Sequence, residues 1–337
     1  MALSFGFAHV PSEHYRKHVD LVLEAERLGF DHAWIPDQTF YRDPYVILTA
    51  LALATEKIRL GVGVTNPYTR HPAMAGRAIA SIDECAAGRV SLGVGAGNVR
   101  ELLNPLGLDF DRPAARCREM VELVKRVLAG STNGTGYVGE VYRMDGARLQ
   151  FDVDHRIPVY LAGRGPRVLE AAGEVADGVL IGGLCSSAGI GYALERVRAG
   201  AAARNRDIGE IDIGSWVTVH LTDDREHDLE HLRPVVAHII GGAPDSVLDA
   251  IGLPTALIAR LKADYRSGGS AAAAVHVTEE CLDAFTIVGD ASLCIDRIRA
   301  LEEAGTTQFI FLMPPGDVIG YSSLINRLAE TVIPAFR

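Results

Sequence analysis

Strand-like and helix-like segments alternate along almost the entire chain. The strand-like segments are short apolar runs rich in β-forming residues, and most of them precede a segment with the 3.6-residue spacing of an amphipathic helix. The predicted strands are residues 4–9, 30–36, 58–64, 89–95, 158–162, 177–181, 211–221 and 308–313. Eight such repeats predict an α/β protein with the architecture of a (β/α)8 TIM barrel.

A doubly wound open sheet shows the same alternation and is the alternative fold. The barrel is favoured because no Gly-x-Gly-x-x-Gly motif follows the first strand and because the alternation exceeds the usual length of one open sheet. Two segments interrupt the rhythm: residues 131–154 predict a small β-hairpin insertion, and residues 223–285 predict a helical insertion before the last strand. The Ser-Gly-Gly-Ser run at 267–270 predicts a flexible joint. Residues 1–337 are therefore expected to form a single domain.

Charge and cysteine usage exclude several functional classes. The net charge of −10 argues against nucleic-acid binding and against an anionic membrane surface, since both require a positive patch. The five cysteines are dispersed and lack metal-ligand or redox spacing, which is typical of a reducing compartment. Neither a signal peptide nor a run of roughly 18 apolar residues is present, so a cytoplasmic protein is expected.

The third predicted strand ends in an unusual concentration of polar groups. Glycines alternate with apolar residues in 58–64, which a strand tolerates where backbone or ligand must come close. The next seven positions carry Thr, Asn, Tyr, Thr, Arg and His side chains. Because barrel sites lie at the carboxyl ends of the strands, this segment predicts one wall of a site. A solvated loop after an ordinary barrel strand is the alternative interpretation.

The other predicted strand ends contain few reactive groups. Only Asp37 and Asp317 are placed to act as acids, and neither a Gly-x-Ser-x-Gly motif nor a cluster with zinc or iron spacing is present. We therefore predict no metal site and infer that a cofactor supplies the chemistry. Residues 162–165 (Ala-Gly-Arg-Gly) support this, since a glycine turn before a helix exposes N–H donors for a phosphate. Arg167 adds charge, and Gly182 and Gly183 end the next strand. An ordinary turn with solvated arginines is the alternative.

Three motifs carry a family resemblance. Residues 60–67 (LGVGVTNP), 89–97 (RVSLGVGAG) and 172–179 (AGEVADGV) together resemble the bacterial luciferase-like superfamily. Within it, the chain is most similar to the branch that depends on coenzyme F420, a deazaflavin, and especially to methylenetetrahydromethanopterin reductases. The resemblance extends over nearly the whole chain and implies a luciferase-like barrel with an insertion before the last strand.

The resemblance also implies roles for individual residues. It places a non-prolyl cis peptide at Gly63-Val64, in a bulge that supports the deazaflavin ring. Thr65 and Asn66 would contact the ring or its ribityl chain, and Gly97 and Asn98 would lie beside it. The phosphate would be held by the glycine turn and the following strand end, which together comprise Ala162, Gly163, Arg164, Gly165, Gly182 and Gly183.

At three positions the chain departs from the family pattern. Asp37-Gln38 stands where many deazaflavin enzymes have Asp-His, and glutamine is not a general acid. Asn98 replaces an acidic residue, and His9 follows Ala8 where the pterin reductases tend to have glutamate. The predicted catalytic residues are therefore His9, Asp37 and Gln38, with His9 as the first candidate proton donor and Tyr41 as the second.

The resemblance implies a coenzyme F420-dependent oxidoreductase that exchanges a hydride with a small organic substrate, possibly a methylenetetrahydromethanopterin-like pterin. The substrate would lie under the 96–111 loop and the 223–285 insertion. An FMN-dependent monooxygenase is the first alternative, and a non-catalytic flavin- or pterin-binding barrel is the second. Family members also imply a homodimer or homotetramer.

Overall fold

The computed structural model describes residues 3–38, 40–130, 136–312 and 318–337, without the side chains of residues 101, 318 and 319. Asp317 and residues 131–135 of the predicted hairpin lie outside these ranges. The strands are β1 (Ser4–Ala8), β2 (His32–Ile35), β3 (Arg59–Thr65), β4 (Val90–Val94), β5 (Tyr137–Val138), β6 (Arg143–Met144), β7 (Val159–Gly163), β8 (Gly178–Gly182), β9 (Asp212–Leu221), β10 (Thr286–Gly289) and β11 (Gln308–Leu312).

Eight parallel strands close into a barrel in the order β1, β2, β3, β4, β7, β8, β9, β11, and β11 pairs again with β1. Each predicted barrel strand overlaps one of these eight. The predicted TIM barrel is therefore confirmed. Sequence analysis missed β10, a four-residue strand that pairs with the far end of β9. Its short length and its position directly after a helix hide the pattern of a strand.

Helices surround the barrel, and four of them begin with proline at the first turn, where no N–H is lost. The helices are α1 (Tyr15–Arg27), α2 (Pro44–Ala54), α3 (Pro72–Ala86), α4 (Pro113–Leu128), α5 (Pro166–Val175), α6 (Ser187–Ala203), α7 (Arg225–Gly242), α8 (Asp245–Ala250), α9 (Thr255–Ala274), α10 (Glu279–Phe285), α11 (Ala291–Glu303) and α12 (Val318–Thr331).

Two hydrophobic layers stabilise the barrel. The larger layer lies between strands and helices and includes Phe5, Phe7, Phe309 and Phe311, all fully buried. The smaller layer fills the interior of the barrel. Its buried members are Ala8, Trp34, Tyr160, Leu180 and Ile310. Alternate residues of one strand point to opposite layers, as the two-residue period of a strand requires.

The hairpin β5–β6 is attached to the barrel by a buried carboxylate. The Glu119 side chain on α4 accepts N–H bonds from residues 140, 141 and 142 of the hairpin turn, at 2.6 to 3.3 Å. The Tyr142 hydroxyl then donates to the Pro67 carbonyl at 2.5 Å. The hairpin therefore supports the loop that follows β3.

The segment 223–285 contains α7, α8, α9 and α10. The predicted flexible joint at 267–270 lies inside α9, where Gly269 alone departs from helical geometry with φ 76° and ψ −163°. The predicted joint therefore coincides with a kink, and its flexibility stays a prediction. Helix α9 continues on both sides of the kink and packs against α7.

Candidate active site

The carboxyl end of β3 contains a cis peptide between Gly63 and Val64, at the position that the family resemblance implied. The register of β3 with β4 shifts between Val62 and Thr65, which makes this end of the strand a bulge. The side chain of Val64 packs towards β4, because a Cβ on Gly95 would lie only 2.6 Å from Val64 Cγ2. The bulge thus presents Val64 among the partly buried apolar side chains of the barrel interior.

Asp37 lies beside this bulge, at the end of β2. Thr65 Oγ1 is 3.4 Å from Asp37 Oδ2, so the hydroxyl donates a long hydrogen bond to the carboxyl. Burial raises the pKa of Asp37, against the opposing charge of Arg70. Gln38 follows, half-buried. The structure therefore brings Asp37 and Thr65 together and gives Asp37 a greater tendency to retain a proton.

Asn66 and Gly97 meet next to Thr65. Asn66 is buried, and its Oδ1 accepts the N–H bonds of Tyr68 at 3.1 Å and Thr69 at 3.0 Å. Its Nδ2 is buried and has no partner within the described residues. Gly97 has φ 79°, and a Cβ there would lie 3.2 Å from Asn66 Cβ. The amide nitrogen of Asn66 is thus available to donate to a ligand.

Asn98 has a local structural role. Its Oδ1 accepts from the N–H of Arg100 at 3.1 Å, and its carbonyl accepts from the N–H groups of Leu102 and Leu103. These bonds begin the single π-helical turn Val99–Leu103. Asn98 therefore shapes the loop after β4, in the position where the family pattern has an acid.

Arg164 carries a buried nitrogen that lacks a partner. Its Nη1 has no hydrogen-bond partner within the described residues, and burial lowers the pKa of the guanidinium. Gly183, with φ 74°, lies beside it, since a Cβ there would be 3.6 Å from Arg164 Nη1. At Gly182 a Cβ would meet nothing within 4 Å. A guanidinium with one buried nitrogen that is unpaired among the described residues, next to open space, can donate to an anionic group.

The turn from β7 to α5 surrounds this cation. Gly163 ends β7, and a Cβ there would lie 2.6 Å from Val168 Cγ1, so glycine leaves room for the Val168 side chain. Gly165 is the N-cap residue of α5 and provides no side-chain cap. Ala162 packs inward against the barrel interior. The first turn of α5 and Arg164 thus favour the same anion.

His9 is not brought to the barrel mouth. Its ring stacks between Phe7 at 5.6 Å and His18 at 5.0 Å, with Tyr321 at 6.2 Å, in the layer between β1 and the helices. Burial lowers the pKa of His9 to about 3, so the ring is neutral at pH 7. The expected role of proton donor does not fit this position. Tyr41, the second candidate, is 43% exposed.

Neither a metal centre nor a membrane span emerges from the described part of the chain. No group of three or more His, Cys, Asp or Glu side chains there could hold a metal ion. No helix there is long and apolar enough to cross a membrane.

Residues 2–308 match the sequence pattern of the luciferase-like monooxygenase family. The chain belongs to this family. A 5,10-methylenetetrahydromethanopterin reductase from Archaeoglobus fulgidus is 35% identical over 339 residues, covering 99% of this chain and 100% of the relative. The enzyme of the same name from Methanolobus tindarius is 34% identical over 315 residues, covering 93% and 95%. The solved coenzyme F420-dependent tetrahydromethanopterin reductase from Methanopyrus kandleri has a TM-score of 0.85 and 30% identity, with both chains covered completely.

The sequence analysis did not predict where two tryptophan rings of this luciferase-like barrel lie. A Cβ on Gly61 would lie 2.3 Å from Trp34 Cε3, and one on Gly63 would lie 2.6 Å from Trp216 Cη2. The glycines of β3 therefore accommodate tryptophan rings, where sequence analysis expected backbone or ligand. The alternation of residues in β9 could have placed Trp216 on the inward face of the barrel. The alternation could not show that the Trp216 ring contacts β3.

Proposed function

We propose that this protein is a coenzyme F420-dependent oxidoreductase that transfers a hydride between the deazaflavin and a small organic substrate. The observation that carries the proposal is the buried Nη1 of Arg164, which has no partner in the part of the chain that the structure describes. It lies beside Gly183 in a barrel with a cis bulge in β3. Full-length relatives at 34% and 35% identity bear the names of methylenetetrahydromethanopterin reductases, which favours the deazaflavin over FMN.

The residues at the barrel mouth fit such a cofactor. Arg164 and the first turn of α5 would hold its phosphate, and Asn66 Nδ2 would donate to its polar edge. Val64, on the bulge, would support one face of the ring. The bound deazaflavin supplies a carbon that accepts or donates the hydride, while the protein orients both reactants and excludes water.

Asp37 is the group that we propose to hold a proton near the substrate. It lies beside Thr65 at the end of β2, and its raised pKa favours the protonated carboxyl. A carboxylic acid that retains its proton is a better general acid near neutral pH than an ordinary aspartate. Gln38 is proposed to orient the substrate through hydrogen bonds.

We propose a methylenetetrahydromethanopterin-like pterin as the substrate, in line with the names of the relatives. It would bind under the loop after β4 and the α7–α10 segment.

We also propose that the chain forms a homodimer through α2, where Val46 and Leu53 are 68% and 71% exposed. A helix with apolar residues on every face is usually covered on all sides. All five cysteines are free, and the cytoplasm is the proposed location.

The test is a fluorescence titration of the purified protein with coenzyme F420 and, separately, with FMN. We expect the wild-type protein to bind coenzyme F420 in the micromolar range or tighter and FMN less tightly. Arg164→Ala should weaken coenzyme F420 binding by about 1.5–3 kcal/mol, because a charge-assisted phosphate contact is lost. Arg198→Ala, on the exposed side of α6, is the matched control and should change nothing.

The alternatives have their own outcomes in this titration. Preference for FMN would favour the monooxygenase, with oxygen consumption as the next assay. Binding of neither cofactor would leave the non-catalytic barrel. Unchanged coenzyme F420 affinity in Arg164→Ala would remove that residue from the site.

A further inference from the structure

A cavity of about 260 Å³ lies between the loop after β4 and the kink of α9. It is separate from the Arg164 turn. The side chains and backbone that line it come from three elements of the fold. They are Arg100, His238, Tyr265 and residues 268–271.

The kink of α9 forms one wall of this cavity. Gly269 has φ 76°, and a Cβ there would lie 3.0 Å from Arg100 Nη1. On the opposite wall, the Tyr265 hydroxyl and His238 Nδ1 are hydrogen-bonded at 2.9 Å. Gly241 permits this arrangement, because a Cβ there would lie 2.3 Å from the Tyr265 ring. The glycines thus keep both walls close to Arg100 without filling the space.

The cavity adjoins the proposed cofactor site on two sides. Arg100 follows Asn98 by two residues, and its N–H donates to Asn98 Oδ1. His238 precedes Ile239 on α7, and a Cβ on Gly183 would lie 3.4 Å from Ile239 Cγ2. Two residues that line the cavity are thus neighbours, along the chain, of residues that contact the proposed cofactor site.

Arg100 supplies positive charge to the cavity. Arg100 and His238 line it, and no carboxylate does so among the described side chains. Within the same described set, the guanidinium of Arg100 contacts the Tyr265 carbonyl at 3.5 Å and lies 5.8 Å from the ring centroid, without an acidic partner. The Arg100 guanidinium therefore has donors available for an anionic ligand in the open cavity.

We propose that this cavity binds an anionic group, a carboxylate or a phosphate, at the outer end of the ligand in the barrel mouth, with Arg100 as its main donor. The inference rests on the proposed oxidoreductase function, since either the cofactor or the substrate supplies that ligand. Tyr265 would support the guanidinium through its ring face, and the kink at Gly269 would keep the cavity open.

The test compares Arg100→Gln with Arg266→Gln, which removes the same charge from an exposed residue of α9 outside the cavity. Three quantities are measured: the Kd for glutarate by calorimetry, the Kd for coenzyme F420 by fluorescence, and KM and kcat with methylenetetrahydromethanopterin. We expect Arg100→Gln to weaken glutarate binding and to raise either the coenzyme Kd or the substrate KM about tenfold, with kcat unchanged.

Each outcome decides a different question. A raised coenzyme Kd assigns the anion to the cofactor, and a raised KM assigns it to the substrate. If Arg100→Gln and Arg266→Gln give equal values in all three measurements, the proposal is overturned. If the wild-type protein binds no coenzyme F420, the proposed function fails. The glutarate Kd values of the wild-type protein and the two variants then test the anion site by themselves.

Discussion

The indole Nε1 of Trp34 donates a hydrogen bond of 3.0 Å to Gln308 Oε1 in the interior of the barrel. Gln308 Nε2 donates in turn to Asp212 Oδ2 at 3.1 Å, and the Tyr160 hydroxyl donates to the same oxygen at 2.8 Å. The Trp34 ring lies directly against Gly61 of β3. A chain of buried polar groups therefore fixes the indole that supports the strand leading into the bulge.

Gln308→Leu should destabilise the protein by about 2–4 kcal/mol, because it leaves the Trp34 N–H without a partner and removes a donor from Asp212. Urea unfolding followed by circular dichroism measures the loss. Tyr160→Phe is the control, since it removes only one donor to Asp212 and should cost about 1 kcal/mol. Equal losses in the two variants would contradict the central position of Gln308.

Gly63→Ala should lower the free energy of unfolding by about 1–3 kcal/mol, because the new methyl group would overlap the Trp216 ring. Gly191→Ala in α6 is the matched substitution, since a Cβ there meets nothing within 4 Å. It should stabilise the helix by about 0.5–1 kcal/mol. Thermal or urea unfolding of both variants provides the comparison, and a stable Gly63→Ala protein would refute the packing argument.

Asp37→Asn should slow the hydride-transfer reaction about a hundredfold or more, with little effect on coenzyme affinity. In the wild-type protein, the rate should fall as pH rises through the raised pKa of Asp37, because the carboxyl then loses the proton that it donates. Single-turnover rates across the pH range measure both effects. Asp109→Asn, exposed in the loop after β4, is the control, and a wild-type pH profile in Asp37→Asn would exclude the acid role.

Acid should destabilise the fold through His9 and His32. Burial lowers the pKa of His9 to about 3 and that of His32 to about 4, whereas both titrate near 6.5 when unfolded. Between these values the unfolded chain binds more protons, so stability falls as pH decreases, by up to about 1.4 kcal/mol per pH unit for each group. Urea unfolding at several pH values tests this. His9→Leu should flatten the dependence, whereas the exposed His231→Gln should not.

Leu53→Lys should convert the proposed dimer to a monomer without unfolding it, because a charge would have to be buried in the apolar contact of α2. Light scattering gives the mass, and circular dichroism checks the fold. Val275→Lys, at a position 76% exposed after α9, should leave the dimer intact. A monomeric wild-type protein would contradict the dimer directly.

Local pattern accounts for the parts of the site that were predictable. The sequence predicts that Asp37, Asn66, Gly97 and Arg164 share one face, because the carboxyl ends of parallel barrel strands meet there. The structure brings Asn66 and Gly97 into contact, and the roles of all four residues stay predictions. Val64 was placed through the family motif, and the cis peptide occurs there. These assignments needed only the ends of the strands and their order.

His9 shows where such reasoning ends. It follows β1 and lies on the same face as Phe7, so its ring enters the helical layer and contacts His18. A strand alternates its faces at every residue, and the position of a side chain at the end of a strand therefore depends on the pairing register, which local pattern leaves open. The Gly269 kink is similar, since a glycine-rich run indicates a linker, whereas the structure continues α9 through a kink at this residue.

The eight barrel strands, their parallel order, the insertions and the glycine turn before α5 follow from the sequence alone, because each depends on periodicity or turn chemistry within a few residues. The tertiary structure decided the positions of the indoles under β3, the direction of the His9 ring and the presence of the Arg100 cavity. It also left one Arg164 nitrogen buried without a partner among the described residues. Each of these arises from contacts between residues distant in the chain, whose burial and charge environment exist only once the barrel has closed.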